Sequence, residues 1–127
     1  MTHRIVIEAV PREKMRPPYD QEELAGDWFW RQNGQDRQKE LVIRVTGRDV
    51  LGKRQILFAL HELVEAVLCL DAGITPAQVD TFDEYFAGEG EPGDAEECPY
   101  QQQHRRALLV EFLMADWLGI KGYGKME

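Results

Sequence analysis

His61 and Glu65 lie in the run LFALHELVEA (57–66), among leucines, valines and alanines that read as the buried stripe of a helix. Ionisable side chains are costly to bury unless they are paired or bind a metal, so two in one apolar stripe call for a partner. At about 100° per residue, positions 61 and 65 are only about 40° apart and share their face with Leu57, Phe58, Val64 and Leu68. A second stripe repeats the pattern: His104 and Glu111, seven residues apart, fall in line with Ala107, Leu108, Ala115 and Leu118. A third repeats it more weakly, with Asp83 beside Val79, Phe82 and Phe86, and Asp80 next to it.

One divalent metal accounts for this set. His61 and Glu65 present two side chains from successive turns to one ion, and His104 supplies a third from a facing helix. Two imidazoles and a carboxylate leave a position open for water, the composition of hydrolytic zinc sites and of non-haem iron sites. Zinc is the expected ion. Glu62 points about 100° away from the ligand direction, close enough to act as general base toward a water that the metal activates. Glu111, Asp83 and Asp80 are either further ligands or carboxylates that fix the tautomer of His61 or His104. A fourth protein ligand would close the site and make it structural. The alternative to a metal is a buried His–Glu hydrogen-bond network that only fixes the core.

The elements that must position these residues follow from the pattern. RIVIEAV (4–10) is a short β-branched run ending at Pro11 and reads as a strand. GDWFWRQ and KELVIRVTG flank NGQDRQ, where Asn33-Gly34 suits a hairpin turn. Leu41, Ile43 and Val45 alternate with polar residues and mark a buried face. The N-terminal strand and the hairpin together predict a small antiparallel sheet.

From about Asp49 the period becomes helical and runs to Gly73. Thr75, Pro76 and Gln78 form a capping-box start for a shorter helix, and Pro99 opens a third that ends at Gly119. The Gly- and acid-rich stretch 88–97 is a connection that could cover the site. The expected fold is a single α+β domain over 1–127, a small antiparallel sheet packed on three helices.

A formal charge of −8 and a pI near 4.9 argue against a nucleic-acid partner, since binding phosphates needs Lys and Arg to displace counterions. The sequence contains no apolar run of membrane-spanning length and no signal-peptide pattern at the N-terminus, so the expectation is a cytoplasmic chain without a membrane partner. In that setting Cys69 and Cys98 stay reduced, and Cys69 reads as core filling. The partner expected of an open metal site is a peptide or small-molecule substrate.

HELVE (61–65) resembles the zinc-peptidase helix motif HExxH, with Glu65 standing where the second histidine would be. A carboxylate can also bind zinc, so the resemblance implies His61 and Glu65 as ligands and Glu62 as the base. The order of a hairpin followed by an HExx-bearing helix is similar to minimal zincin-like peptidase folds. The wider pattern LFALHELVEAVLC, GIT, VDTFDEYF and CPYQQQHRRALLVEFLMADWLGI looks like a family of small phage and bacterial proteins, over roughly residues 27–119. That likeness implies that His61, Glu62, Glu65, Asp83, His104 and Glu111 belong to one set.

Two rivals come from other classes. One is a non-enzymatic phage or bacterial interaction protein braced by a structural metal or by the His–Glu network. The other resembles the all-helical nucleotide pyrophosphohydrolases, which hold magnesium with ExxE pairs, as ELVE (62–65) and Glu111 partly match. The stripe histidines and the hairpin speak against the second, because Mg²⁺ prefers oxygen ligands.

Overall fold

A computed structural model describes residues 4–20, 25–33, 38–47 and 52–123. Three strands, β1 (Arg4–Val10), β2 (Gly26–Asn33) and β3 (Gln38–Thr46), precede three helices, α1 (Lys53–Asp71), α2 (Pro76–Tyr85) and α3 (Gln101–Trp117). The fold is α+β. Of the hairpin turn expected at Asn33-Gly34, Asn33 ends β2 and residues 34–37 lie outside the described residues; the helix expected from about Asp49, itself outside the described residues, starts at Lys53 after the N-cap Gly52.

The strand order is β1-β3-β2, with β2 antiparallel and β1 parallel to β3. The sheet is therefore mixed, which corrects the antiparallel expectation. Side-chain alternation has period two in either direction and carries no information on polarity. Polarity is set by the connection 11–25, which leaves β1 and enters β2 at one end of the sheet, where Gly47 N donates to Val10 O and Thr46 N to Ala25 O.

Leu41, Ile43 and Val45 are buried, as their alternation predicts, and with Trp28 they form the sheet side of the core under α1. Val42 is also fully buried, on the opposite face. Its neighbour across the hairpin is Phe29, over which the Arg16 and Arg44 guanidinium groups stack at 4.2 and 5.0 Å. Glu8 pairs with Arg44 at 2.9 Å beside them. Ile5 and Ile7 share the helix-side face through their register with Leu41 and Ile43, yet are 60% and 50% exposed because α1 packs on β3 and β2.

α1 ends where expected. Gly73 adopts φ +79°, and Ile74 N donates to Cys69 O while Gly73 N donates to Leu70 O, the Schellman arrangement. α2 carries the predicted capping box, Gln78 N donating to Thr75 Oγ1 and Thr75 N to Gln78 Oε1. Pro99 does not open α3. It lies in a turn, and the helix starts at Gln101 with Tyr100 as its N-cap. α3 packs on α1 and on a short 3-10 turn at Pro92–Asp94, and α2 touches β2 and the same turn. Among the described residues no helix is long and apolar enough to cross a membrane. Cys69 and Cys98 are buried free thiols.

Candidate metal centre

The two stripes that carry the anomalous histidines face each other. α1 and α3 pack together, and the His61 and His104 rings meet edge to face with centroids 4.9 Å apart. Each turns one nitrogen to the same oxygen: His61 Nε2 is 3.2 Å and His104 Nδ1 is 3.1 Å from Glu65 Oε2. Trp28 Nε1 donates to the other oxygen, Oε1, at 3.2 Å and so fixes the carboxylate plane. All three residues are buried. The three candidate ligand atoms lie within 4.8 Å of one another and could hold a metal ion.

The spacing suits that role. Tetrahedral bonds of about 2.0–2.1 Å place neighbouring ligand atoms about 3.3 Å apart, close to the 3.1 and 3.2 Å found here. Glu111 is on the far side of the His61 ring, accepting from Nδ1 at 2.7 Å, and its other oxygen accepts from the Tyr123 hydroxyl. From that side it orients His61 and does not reach an ion on Nε2. A carboxylate behind a ligating imidazole is the usual support in metal sites.

The charges are arranged to match. Burial alone would lower the His61 pKa, but hydrogen bonds to Glu111 and Glu65 push it up to about 11. Burial alone would raise that of Glu65, and the His104 and His61 donors overcome it and hold the carboxyl at about 2. Glu62 is the opposite case. Burial and the neighbouring Glu65 charge raise its pKa well above the ordinary carboxyl value, with His61 opposing. Its side chain crosses the start of β2 at Gly26, where an added Cβ would come within 2.6 Å of Glu62 Cγ.

These residues line one cavity of about 110 Å³, room for several waters, between β2, α1, α2, α3 and the 91–93 segment. Glu62, His61, Glu65, His104 and Glu111 all contribute to its wall. Asp83 lines it too, but its oxygens accept from the Tyr19 hydroxyl at 2.7 Å and from the Tyr100 hydroxyl. Asp80 Oδ1 lies 2.9 Å from the same Tyr19 oxygen, sharing its one proton with Asp83, and Asp80 pairs with Arg16 at 3.4 Å. Neither aspartate contacts a histidine, so the expected tautomer-fixing role for Asp83 and Asp80 is replaced by one in anchoring the tyrosines. Burial, partly offset by those hydroxyls, pushes Asp83 up to about 7.

Several participants lacked a local signal. Trp28 reaches Glu65 from 37 positions away and Tyr19 reaches Asp83 from 64, and the Arg16–Asp27 pair at 2.8 Å lies in the same N-terminal part of the chain. The acidic connection enters the site through Gly93, whose backbone lies so close to His104 that a Cβ would come within 2.5 Å of the ring. Tyr85, by contrast, is 77% exposed and does not line the cavity. Comparison with protein-family models, curated proteins and solved structures gave no match.

Proposed function

We propose that this protein is a zinc-dependent hydrolase of amide bonds, peptidase- or amidase-like, with the ion held by His61, Glu65 and His104 and with Glu62 as general base. The observation that carries this reading is the convergence of two imidazole nitrogens on one oxygen of Glu65 at ligand spacing, with Glu62 on the same cavity wall. When bound there, zinc supplies a Lewis acid that polarises a carbonyl and acidifies a water.

The chain's own groups do the rest. Glu111 and Trp28 hold the His61 ring and the Glu65 carboxylate in place, so little rearrangement accompanies binding. Glu62 has a raised pKa and no strong hydrogen-bond partner among the described contacts, so its carboxylate is free to accept a proton from water and return it to a leaving amine. Three protein ligands would leave an ion held there a further position for water, and the adjoining cavity has room for one, which favours catalysis over a purely structural ion. A helix with a zinc-binding His-Glu pair beside a sheet edge is similar to zincin-like peptidases, and a short peptide or small amide is the substrate class we propose.

Replacing Glu62 with Gln tests this assignment. Turnover of an amide substrate should fall by about 10² or more while bound zinc is unchanged. Loss of zinc in that variant, or unaltered turnover, would contradict the role given to Glu62.

A further inference from the structure

The inner cluster satisfies its own polar atoms, but one buried atom beside it is left over. His104 Nε2 is the buried side-chain nitrogen that finds no hydrogen-bond partner among the described residues, although His104 is only 5% exposed. Two carboxylates converge on it: Asp94 Oδ1 at 3.1 Å and Glu91 Oε2 at 3.5 Å, too poorly aligned to accept from its N–H. The 3-10 turn Pro92–Asp94 fixes that approach by pressing the Gly93 backbone on the ring. The Glu91 and Asp94 side chains remain 46% and 57% exposed, so water can complete a coordination sphere from the cavity mouth.

We propose that His104 Nε2, Asp94 and Glu91 form a second site for a divalent cation of the zinc class, at the mouth of the cavity. An imidazole with two oxygen ligands and open water positions suits borderline cations such as zinc. An ion here would keep His104 in the tautomer whose Nδ1–H donates to Glu65, 3.1 Å away. A neutral imidazole has one N–H, so His104 serves the mouth ion or the inner ion but not both. The mouth site stands without the inner one; only this exclusion rests on the proposed function. Its consequence is that excess zinc at the mouth withdraws a ligand from the inner set.

The test is a zinc titration by calorimetry of a His61→Gln chain, which weakens the inner set, and of the same chain carrying Glu91→Gln and Asp94→Asn. The expected result is one zinc per chain in the first and at least tenfold weaker binding in the second. No zinc in the first, or equal affinity in both, overturns the mouth site. Should the His61→Gln chain fail to fold by circular dichroism, Glu65→Gln takes its place with the same two readings. Failure of the proposed function appears elsewhere, as wild-type zinc binding that ignores His61 and Glu65, so the two ideas fall separately.

Discussion

His61 and His104, 43 positions apart, share one oxygen of Glu65 between them, at 3.2 and 3.1 Å. Without a metal that oxygen accepts two N–H donors; the same three groups are the ones that could hold an ion. The exchange costs protons. His61 is held protonated up to about pH 11, so at neutral pH an ion on Nε2 must displace a proton. Zinc affinity should therefore rise about tenfold per pH unit for each proton released, and calorimetry in buffers of different ionisation heat should count them. Affinity independent of pH between 6 and 8 would oppose this.

The same groups set the stability of the metal-free protein. His61 titrates at about 11 in the folded chain against about 6.5 when unfolded, so its contribution is complete below about pH 6.5 and drains away as pH rises through 11. Asp27 and Asp83, pushed by burial to about 6 and about 7, also hold extra protons when folded, and stability falls as they ionise. Glu65, held at about 2, contributes above about pH 4 and loses that contribution as pH falls toward 2. The Tm of the metal-free chain should peak near pH 4 and decline steadily toward pH 10, and saturating zinc should reverse the alkaline decline. A Tm that climbs from pH 5 to pH 10 without metal would contradict these assignments.

Glycines 26 and 93 make separable predictions because each touches a different part of the site. Gly26→Ala pushes its methyl into the flexible Glu62 side chain, which can swing aside at little cost to stability but takes the base with it. Amide turnover should fall while zinc content holds. Gly93→Ala meets the His104 ring, which is packed and cannot yield as easily, so stability should drop by about 1–3 kcal/mol and zinc binding should weaken. Thermal melts with and without zinc distinguish the two; identical behaviour of both variants would argue against the described placement of Glu62.

Glu111 and Tyr123 form a relay behind His61, with the Tyr123 hydroxyl on one Glu111 oxygen and the imidazole on the other. Glu111→Gln should weaken zinc binding by about 10- to 100-fold, the usual cost of losing the carboxylate behind a ligating histidine. Tyr123→Phe should weaken it less, in the same direction. Chelator competition measures both, and a Glu111→Gln chain that binds zinc as tightly as wild type would remove Glu111 from the site.

The helical stripes made much of the site legible. His61, Glu65, His104 and Glu111 were readable because ionisable residues at helical spacing violate an otherwise apolar pattern, and all four are buried. The capping box of α2 and the glycine stop of α1 were readable because they depend on local backbone chemistry. What local pattern cannot carry is partner identity across distant segments. Asp83 looks like a ligand on its helix, yet Tyr19 and Tyr100 claim its oxygens. Glu91 and Asp94 sit in a Gly- and acid-rich loop whose composition names no partner, and the tight turn at Gly93 brings them to His104. The parallel pairing of β1 is hidden for the same reason, because it is decided by where the 11–25 connection returns.

The central claim is tested most directly by counting metal in a chain where only the inner residues can hold it. With Glu91→Gln and Asp94→Asn in place, purified protein offered zinc and dialysed should keep one ion per chain, and adding His61→Ala should reduce that to none. A folded chain that keeps no zinc before His61 is changed, or keeps it unchanged afterwards, would contradict the metal centre at His61, Glu65 and His104.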